Sequence, residues 1–256
     1  MSLHSTEAIV VGGHQLGEAD RIIGFSTRRF GKVRAVAAGV RRIRSRFGGS
    51  LELFTYGQLV YFERPGRDLH RVNEFEVLQP FRTLRGSLEL FAAGAYVVEL
   101  SALTSLEGEA NEPLFGHLLR TLSLLNERGD VGSILRRFEI RLLRLLGYLP
   151  ELYRCVRCRT TLSAQAGYPF SPSEGGLLCE WCARSAEGTT SLSPGAVGFL
   201  RGALRSAGES GRVILRAEEA TALHGILRRF LEEKLGRRVQ SARFLSGFVL
   251  DTPSTL

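Results

Sequence analysis

Four cysteines in two matched pairs carry the clearest chemical signal of this sequence. The pairs are Cys155 with Cys158 and Cys179 with Cys182, each with two intervening residues. That spacing lets both thiolates of a pair face one ion, and four thiolates form the closed tetrahedral set of a structural Zn²⁺ site. We therefore predict a structural zinc ion at these cysteines. Four buried free thiols, or a redox-active pair, are the alternatives.

The second pair encloses Trp181. The surrounding segment, 151–190, lacks helical periodicity and contains scattered Gly, Ser and Pro, which is typical of a small insert organised by a metal. Because such a segment is too small for a core of its own, we expect Trp181 to be a hydrophobic plug. Base stacking is the alternative for this side chain.

A segment from residue 28 to 46 contains eight basic residues and no carboxylate. Lys32 and Arg34 alternate with apolar residues, so in a strand they share one outward face. A basic strand face and a basic loop together could follow a phosphate backbone, whereas the alternative is a solvated loop that only aids solubility. The predicted nucleic-acid-binding residues are Arg28, Arg29, Lys32, Arg34, Arg41, Arg42, Arg44 and Arg46.

Two further features bear on nucleic-acid binding. Among the aromatic residues near the basic segment, Phe47 lies in the loop and is the one we expect to be exposed for base stacking. A second basic cluster near the end of the chain is diluted by Glu232 and Glu233. Its basic residues are Arg228, Arg229, Lys234, Arg237, Arg238 and Arg243. Pairs such as Glu233 with Arg237 are therefore expected to be surface salt links, with a continuation of the DNA path as the alternative.

The elements that must position these residues change in type along the chain. Five short strand patterns lie at 8–11, 21–27, 32–37, 53–62 and 69–78, without helices between them. Their closeness favours an antiparallel, partly open five-stranded barrel of the oligonucleotide-binding (OB) type.

After residue 80, apolar residues recur every three or four positions, which predicts amphipathic helices. Three helices precede Gly147, another begins at Ser193 and Pro194, and a last one ends at Gly236. The predicted fold class is therefore α+β. The predicted domains are an OB DNA-binding domain at 1–80, a helical domain at 81–150 and 191–250, and a zinc-binding element at 151–190.

Composition limits the classes of function. The net charge of +8 favours a polyanionic partner, without choosing between DNA, RNA and a lipid surface. No apolar run is long enough to span a bilayer and the first residues lack the features of a signal peptide, so we expect a cytoplasmic protein without a membrane partner.

The sequence gives no sign of a catalytic site. It contains no phosphate-binding loop, no dinucleotide fingerprint and no common hydrolase motif, and the five histidines fall in separate contexts. Acidic pairs such as Glu18 and Asp20 are more typical of turns than of metal sites. We predict that the protein is not an enzyme, with a nuclease assembled from distant carboxylates as the alternative.

Three stretches in fixed order resemble the N-terminal signature of the bacterial RecO family. They are GEADRIIGFST at 17–27, GKVRAVAAGVRRIRSR at 31–46 and LELF at 51–54. The resemblance continues through a helical middle to a cysteine pair that opens just after LLGYLP, so it spans nearly the whole chain. Two features depart from the family: the usual Leu-x-Pro-Phe reads Leu51-Glu-Leu-Phe54, and many relatives lack a complete zinc site.

This resemblance implies a role in recombinational repair in the bacterial cytoplasm, in association with the nucleoid. Proteins of the family bind single- and double-stranded DNA and anneal complementary strands. With RecR they help to load RecA onto DNA coated by single-strand-binding protein (SSB), whose C-terminal tail they bind on the helical domain. An RNA-binding module of translation or ribosome assembly is the competing hypothesis, because such modules also use OB folds and zinc ribbons.

Overall fold

A computed structural model describes residues 2–64, 66–205 and 217–245. The chain divides into two compact units, Met1–Gly129 and Asp130–Leu256. Each unit contains β-strands and α-helices, which confirms the α+β class. No helix in the described part of the chain is both long and apolar enough to cross a bilayer.

The first unit contains a closed barrel of five strands, which confirms the predicted OB-like domain. The strands are β1 (Ser2–Leu16), β2 (Asp20–Thr27), β3 (Gly31–Ala37), β4 (Tyr56–Glu63) and β5 (His70–Gln79). Their order around the barrel is β1-β2-β3-β5-β4. The barrel was expected to be partly open and antiparallel, but a short parallel pairing of β3 with β5 closes it.

Strand β1 is much longer than the predicted strand at 8–11 because it serves two neighbours. Its first half pairs with β4, from Ser2 opposite Glu63, and its second half pairs with β2, ending at Leu16 opposite Asp20. A register shift between Val10 and Gly12 lies where the strand changes partner. Alternation of apolar and polar residues is weak in both halves, so the sequence pattern identified only the buried centre.

Alternation in β3 places its two faces as predicted. Val33, Ala35 and Ala37 are buried in the barrel core, whereas Lys32 and Arg34 are half-exposed on the outer face. Because side chains of a strand alternate between faces, the apolar residues that fill the core fix the two cations on the outside.

Three helices complete the first unit: α1 (Arg82–Gly86), α2 (Leu88–Thr104) and α3 (Glu112–Asn126). The Ser87 and Asn111 side chains accept hydrogen bonds from backbone N–H groups of the first turns of α2 and α3. Helix α2 packs on α3 and reaches β1. Gly94 permits a close approach on this helix, because an added Cβ would lie 2.9 Å from the Phe54 ring.

The second unit combines helices with a small three-stranded sheet. The helices are α4 (Val131–Leu145), α5 (Glu180–Ala183), α6 (Pro194–Arg205), α7 (Ala217–Leu235) and α8 (Ala242–Leu245), and the strands are β6 (Tyr168–Ser171), β7 (Gly176–Leu177) and β8 (Thr190–Leu192). Ser193 caps α6 by accepting a hydrogen bond from Ala196 N at 3.1 Å, as the sequence predicts. Gly236 follows α7 with φ 63°, also as predicted.

The helices that were predicted as one domain are divided between the two units. Helices α1 to α3 group with the barrel, whereas α4 packs on α6 and α7. Helical periodicity identifies an apolar face but not the element that covers it, so the sequence could not separate α3 from α4.

A buried charge network joins α4 to α7 in the second unit. Arg136 donates two hydrogen bonds to Glu139, at 2.6 and 2.7 Å, and a third contact of 2.7 Å joins Arg136 to His224 Nδ1. Arg136 and Glu139 are almost completely buried. Because a buried charge is tolerated only when it is paired, this network fixes the orientation of the two helices.

Candidate metal centre and nucleic-acid interface

The first cysteine pair forms a tight backbone turn. Arg159 N donates to Cys155 O at 2.9 Å, and Cys155 N donates to Thr160 O at 2.9 Å. Arg159 has a positive φ of 63°, which allows the chain to reverse directly after Cys158. The turn therefore directs the Cys155 and Cys158 thiols to the same side.

The second pair lies at the start of a short helix. Cys179 precedes α5, and Cys182 N donates to Cys179 Sγ at 3.5 Å. Strand β7 leads into this helix, and Val156 N of the first turn donates to Leu177 O at 3.0 Å. This backbone hydrogen bond brings the two pairs together, although 20 residues separate them in sequence.

The four sulfurs form one cluster that fits a tetrahedral ion. All four Sγ atoms lie within 4.8 Å of one another, and Cys158 Sγ lies 3.7 Å from Cys179 Sγ. Four sulfurs bound to Zn²⁺ at about 2.3 Å are about 3.8 Å apart in a regular tetrahedron. Among the described residues this is the single group of three or more potential ligands close enough to hold a metal ion.

Electrostatics in the cluster also favours a cation. Hydrogen bonding with Thr160 lowers the pKa of Cys158 to about 6, whereas hydrogen bonding with Cys179, together with burial, raises the pKa of Cys182 to about 12. Four thiolates this close would repel one another, and a positive charge between them would stabilise the fully deprotonated set. A divalent metal ion would supply that charge and hold all four residues as ligands.

Arg157 links the two cysteine turns from outside the cluster. Its guanidinium donates to both carboxylate oxygens of Glu174, at 2.6 and 2.8 Å, and to Cys182 O at 3.2 Å. One side chain from the first turn is thereby bonded to the backbone of the second. Because the charge of Arg157 is neutralised by Glu174, we assign this residue a structural role in the insert.

The prediction that Trp181 is a buried plug is wrong. Its side chain is 76% exposed, with the Arg184 guanidinium 5.6 Å from the ring centroid. The apolar interior of the insert consists instead of β-sheet residues such as Phe170, which packs edge-to-face on Phe230 of α7. Because α7 covers the sheet, the insert does not need tryptophan as a core residue.

The eight predicted nucleic-acid-binding residues occupy different environments. Arg28 is paired with two carboxylates, Glu7 at 2.9 Å and Glu112 at 2.6 Å, and its hydrogen bond with Glu112 raises its pKa. Arg29 is exposed, and Lys32 and Arg34 share the outer face of β3. Among the eight, Arg28 is therefore the residue whose charge is neutralised by carboxylates of its own unit.

The remaining four, Arg41, Arg42, Arg44 and Arg46, are exposed in the loop between β3 and β4. We call residues 38–55 the basic loop. Arg41 donates to Glu18 O at 3.0 Å and Arg46 to Val72 O at 3.3 Å. None of the four forms an ion pair with another residue that the structure describes, so their charges face solvent.

The expectation that Phe47 is exposed for base stacking is wrong. This ring is only 5% exposed and belongs to the barrel core, with the Arg46 guanidinium 4.8 Å from its centroid. Phe47 therefore anchors the basic loop to the barrel. Exposure at a loop position depends on which side the backbone presents, and the sequence pattern contains no signal for that.

Three basic residues outside the predicted set lie on loops and strands near it in the first unit. Arg64 and Arg67 belong to the β4–β5 loop, and Arg71 of β5 is opposite Val36 of β3. In OB folds the β4–β5 loop and the face of β2 and β3 are common binding elements for oligonucleotides. The stretch RPGR at 64–67 is the sequence signal that could have identified the first two.

The second basic cluster mixes both signs of charge in the second unit. It lines an open groove of about 570 Å³, formed by Pro172, Ser173, Glu187, Gly188, Arg229, Glu232, Glu233, Gly236, Arg237 and Arg238. The described ion pair is Arg228 with Glu232 at 3.8 Å, in place of the predicted pair of Glu233 with Arg237. Glu232 also accepts a hydrogen bond from Val239 N at 3.0 Å. This hydrogen bond ties the segment that follows α7 back to the helix.

Two family models cover nearly all of the chain. The model described as Recombination protein O N terminal matches residues 1–81, and the model described as Recombination protein O C terminal matches residues 85–243. Similar proteins include the DNA repair protein RecO of Pelotomaculum thermopropionicum, which is 34% identical over 97% of this chain and 95% of that protein.

Two further relatives carry the same name. The protein of Symbiobacterium thermophilum is 34% identical over 96% of this chain and 97% of its own length, and that of a Roseiflexus species is 36% identical over 95% and 85%. The barrel, the helices and the cysteine cluster thus lie in a chain that matches these relatives almost from end to end. The chain therefore belongs to the RecO family of DNA recombination and repair proteins.

Proposed function

We propose that the protein is a DNA-binding recombination mediator that anneals complementary single strands. With RecR it would promote loading of RecA onto SSB-coated DNA, and it would bind the SSB C-terminal tail, in the bacterial cytoplasm at the nucleoid. The observation that carries the proposal is the basic loop, whose four exposed arginines have no carboxylate partner among the described residues. Together with Arg29, Lys32 and Arg34, they provide cations for the phosphates of single- and double-stranded DNA. Arg28 would contribute least of the eight, because Glu7 and Glu112 neutralise it.

Cations directed at the backbone suit annealing for a physical reason. Two complementary strands repel each other through their phosphates, and neutralising those charges lowers the repulsion. A grip on the backbone leaves the base edges free to pair. Neither step consumes a nucleotide, and we propose that the protein is a mediator and not an enzyme.

The bound metal would be Zn²⁺ with a structural role. A site made of four thiolates offers no open position for substrate, and Cys₄ is a common structural zinc set. The ion would hold the two cysteine turns together and neutralise their charge, and the chain's own residues would carry out DNA binding.

Annealing of two complementary fluorescent strands, without nucleotide and at two salt concentrations, tests the proposal. The wild type should accelerate annealing, and the acceleration should weaken with salt. The double variant Arg42→Gln/Arg44→Gln removes two exposed charges and should flatten the dependence of log K on log salt by about 1.4, at about 0.7 for each lost contact with single-stranded DNA. Arg28→Gln is the matched control, and its salt dependence should change little because its charge is already compensated.

The outcomes separate the competing hypotheses. Failure of the wild type to accelerate annealing, together with preferential binding of RNA in a competition assay, would support the RNA-binding alternative. Magnesium-dependent loss of the strands would indicate a nuclease. Equal salt dependence of the wild type and the double variant would remove the basic loop from the binding surface.

A further inference from the structure

The tip of the basic loop carries an apolar side chain that buries no surface. Ile43 is 106% exposed, the highest value among the large hydrophobic residues that the structure describes, whereas Leu88 on α2 is 67% exposed. An isoleucine in that environment contributes nothing to the core and exposes its whole apolar surface to water. Single exposed apolar residues are common on proteins, so exposure alone does not make Ile43 a binding residue.

The backbone of the basic loop is held in place on both sides of Ile43. Gly39 N donates to Asp20 Oδ1 at 2.7 Å, and Arg41 N donates to Ala19 O at 3.0 Å. On the other side, the Phe47 ring is buried in the barrel core. These contacts anchor the loop before and after its tip.

A β-turn then presents Ile43 at the outermost point. Ser45 N donates to Arg42 O at 3.0 Å, so Ile43 and Arg44 are the two central residues of the turn. A side chain at a fixed turn position loses less freedom on binding than one on an unanchored loop. The tip is therefore prepared to place Ile43 against a partner.

The neighbours of Ile43 define the chemistry of that partner. Arg42 and Arg44 flank it directly, and Arg41 and Arg46 lie next along the loop, all four of them exposed. The partner must therefore offer anionic groups and an apolar face within a few ångströms of one another. Single-stranded DNA meets this requirement, because its phosphates alternate with unpaired bases whose faces are accessible, whereas duplex base faces are covered by stacking.

We propose that Ile43 packs against the face of an unpaired nucleobase when the basic loop binds the backbone of single-stranded DNA. This inference rests on the proposed function and adds to it a contact with the base. Isoleucine is among the apolar side chains that proteins place against or between bases. Contact with the face leaves the Watson–Crick edge free, so a strand held in this way can still pair with its complement.

Strands with and without bases separate this contact from phosphate binding. Full-length wild type, Ile43→Ala and Leu88→Ala would be titrated with an oligo-dT strand and with an abasic strand of equal length and charge, at two salt concentrations. Ile43→Ala should bind oligo-dT about five- to tenfold more weakly, by the same factor at both salts, because the lost contact is apolar. Its affinity for the abasic strand should equal that of wild type, and Leu88→Ala should match wild type on both strands.

Each other result overturns the inference. Equal affinity of wild type and Ile43→Ala for oligo-dT, with wild type binding well, would exclude the base contact and leave the proposed function intact. Equal weakening on both strands would make Ile43 a support of the loop shape. In a parallel titration with vesicles of anionic lipid, weakening of vesicle binding alone would assign the tip to a membrane surface and overturn the inference. If wild type binds no DNA at all, the proposed function itself fails.

Discussion

Gly31, the first residue of β3, lies under the segment that joins α2 to α3. Its φ is +59°, and an added Cβ would lie 2.2 Å from Glu109 O and 2.5 Å from Leu106 O. Lys32 N donates to the same Leu106 carbonyl at 3.0 Å. The glycine therefore allows the α2–α3 connection to rest on the barrel where the basic strand begins.

Replacement of this glycine should be costly. We expect Gly31→Ala to lower the free energy of unfolding by about 2–4 kcal/mol, because backbone strain is added to a clash with two carbonyl groups. Gly17→Ala is the matched control: its φ is +60° but an added Cβ would have no neighbour within 4 Å, so it should lose only about 1 kcal/mol. Urea denaturation measures both, and equal losses would show that the close approach at Gly31 is unimportant.

The buried pair of Arg136 and Glu139 gives a second prediction for individual residues. Glu139→Gln should lower the free energy of unfolding by about 3–5 kcal/mol, because it leaves the buried Arg136 guanidinium without its counter-charge. The double variant Arg136→Met/Glu139→Leu removes both charges and should recover most of that loss. Chemical denaturation of the three proteins tests this, and a double variant as unstable as the single one would contradict it.

At the scale of elements, the cysteine cluster is built from two turns that are 20 residues apart in sequence. We expect purified wild type to contain one zinc ion per chain, whereas Cys158→Ser should lose it and about 3 kcal/mol or more of folding free energy, because a structural zinc site contributes folding energy directly. Ser163→Ala, an exposed substitution in the same insert, is the control and should keep both. Elemental analysis measures the zinc content, and thermal unfolding measures the stability. Purified wild type that contains no metal would contradict the zinc proposal.

Elements with strong periodicity were predictable from sequence, whereas exposure at individual positions was not. Alternation in GKVRAVA located β3 and its outward cations, and Ser193 with Pro194 located the start of α6. Phe47 and Trp181 were assigned to the wrong environments. The barrel residues that bury Phe47, and helix α7 that covers the insert in place of Trp181, are distant from them in sequence. The two turns of the cysteine cluster were evident from cysteine spacing, whereas Arg64, Arg67 and Arg71 gave only weak local signals.

At the scale of the whole molecule, charge is distributed unevenly between the two units. Carboxylates nearly balance the cations of the first unit, so its positive potential is local to the basic segment, and the second unit carries most of the net charge of the chain. Global charge attracts DNA over distance and is screened by salt, whereas local cations determine where the strand binds.

This division predicts the behaviour of a fragment. The fragment 1–129 should fold alone, because it contains a closed barrel and its covering helices, and it should retain binding of oligo-dT. Its binding should still weaken on Arg42→Gln/Arg44→Gln, although its association should be slower than that of the full chain at low salt. Circular dichroism and fluorescence anisotropy test the two parts, and a folded fragment that binds no DNA would move the binding surface to the second unit.

The double pairing of β1 also sets an order of events during synthesis. Strand β1 is synthesised before both of its partner strands, and its second half can form a hairpin with β2 as soon as residue 27 is exposed. Its first half must wait for β4, since Ser2 pairs with Glu63, and closing so long a loop costs more conformational entropy than closing the hairpin. Until then the nascent chain exposes one unpaired edge of β1, so the interval between synthesis of β2 and of β4 is when this protein is most exposed to aggregation and to chaperones.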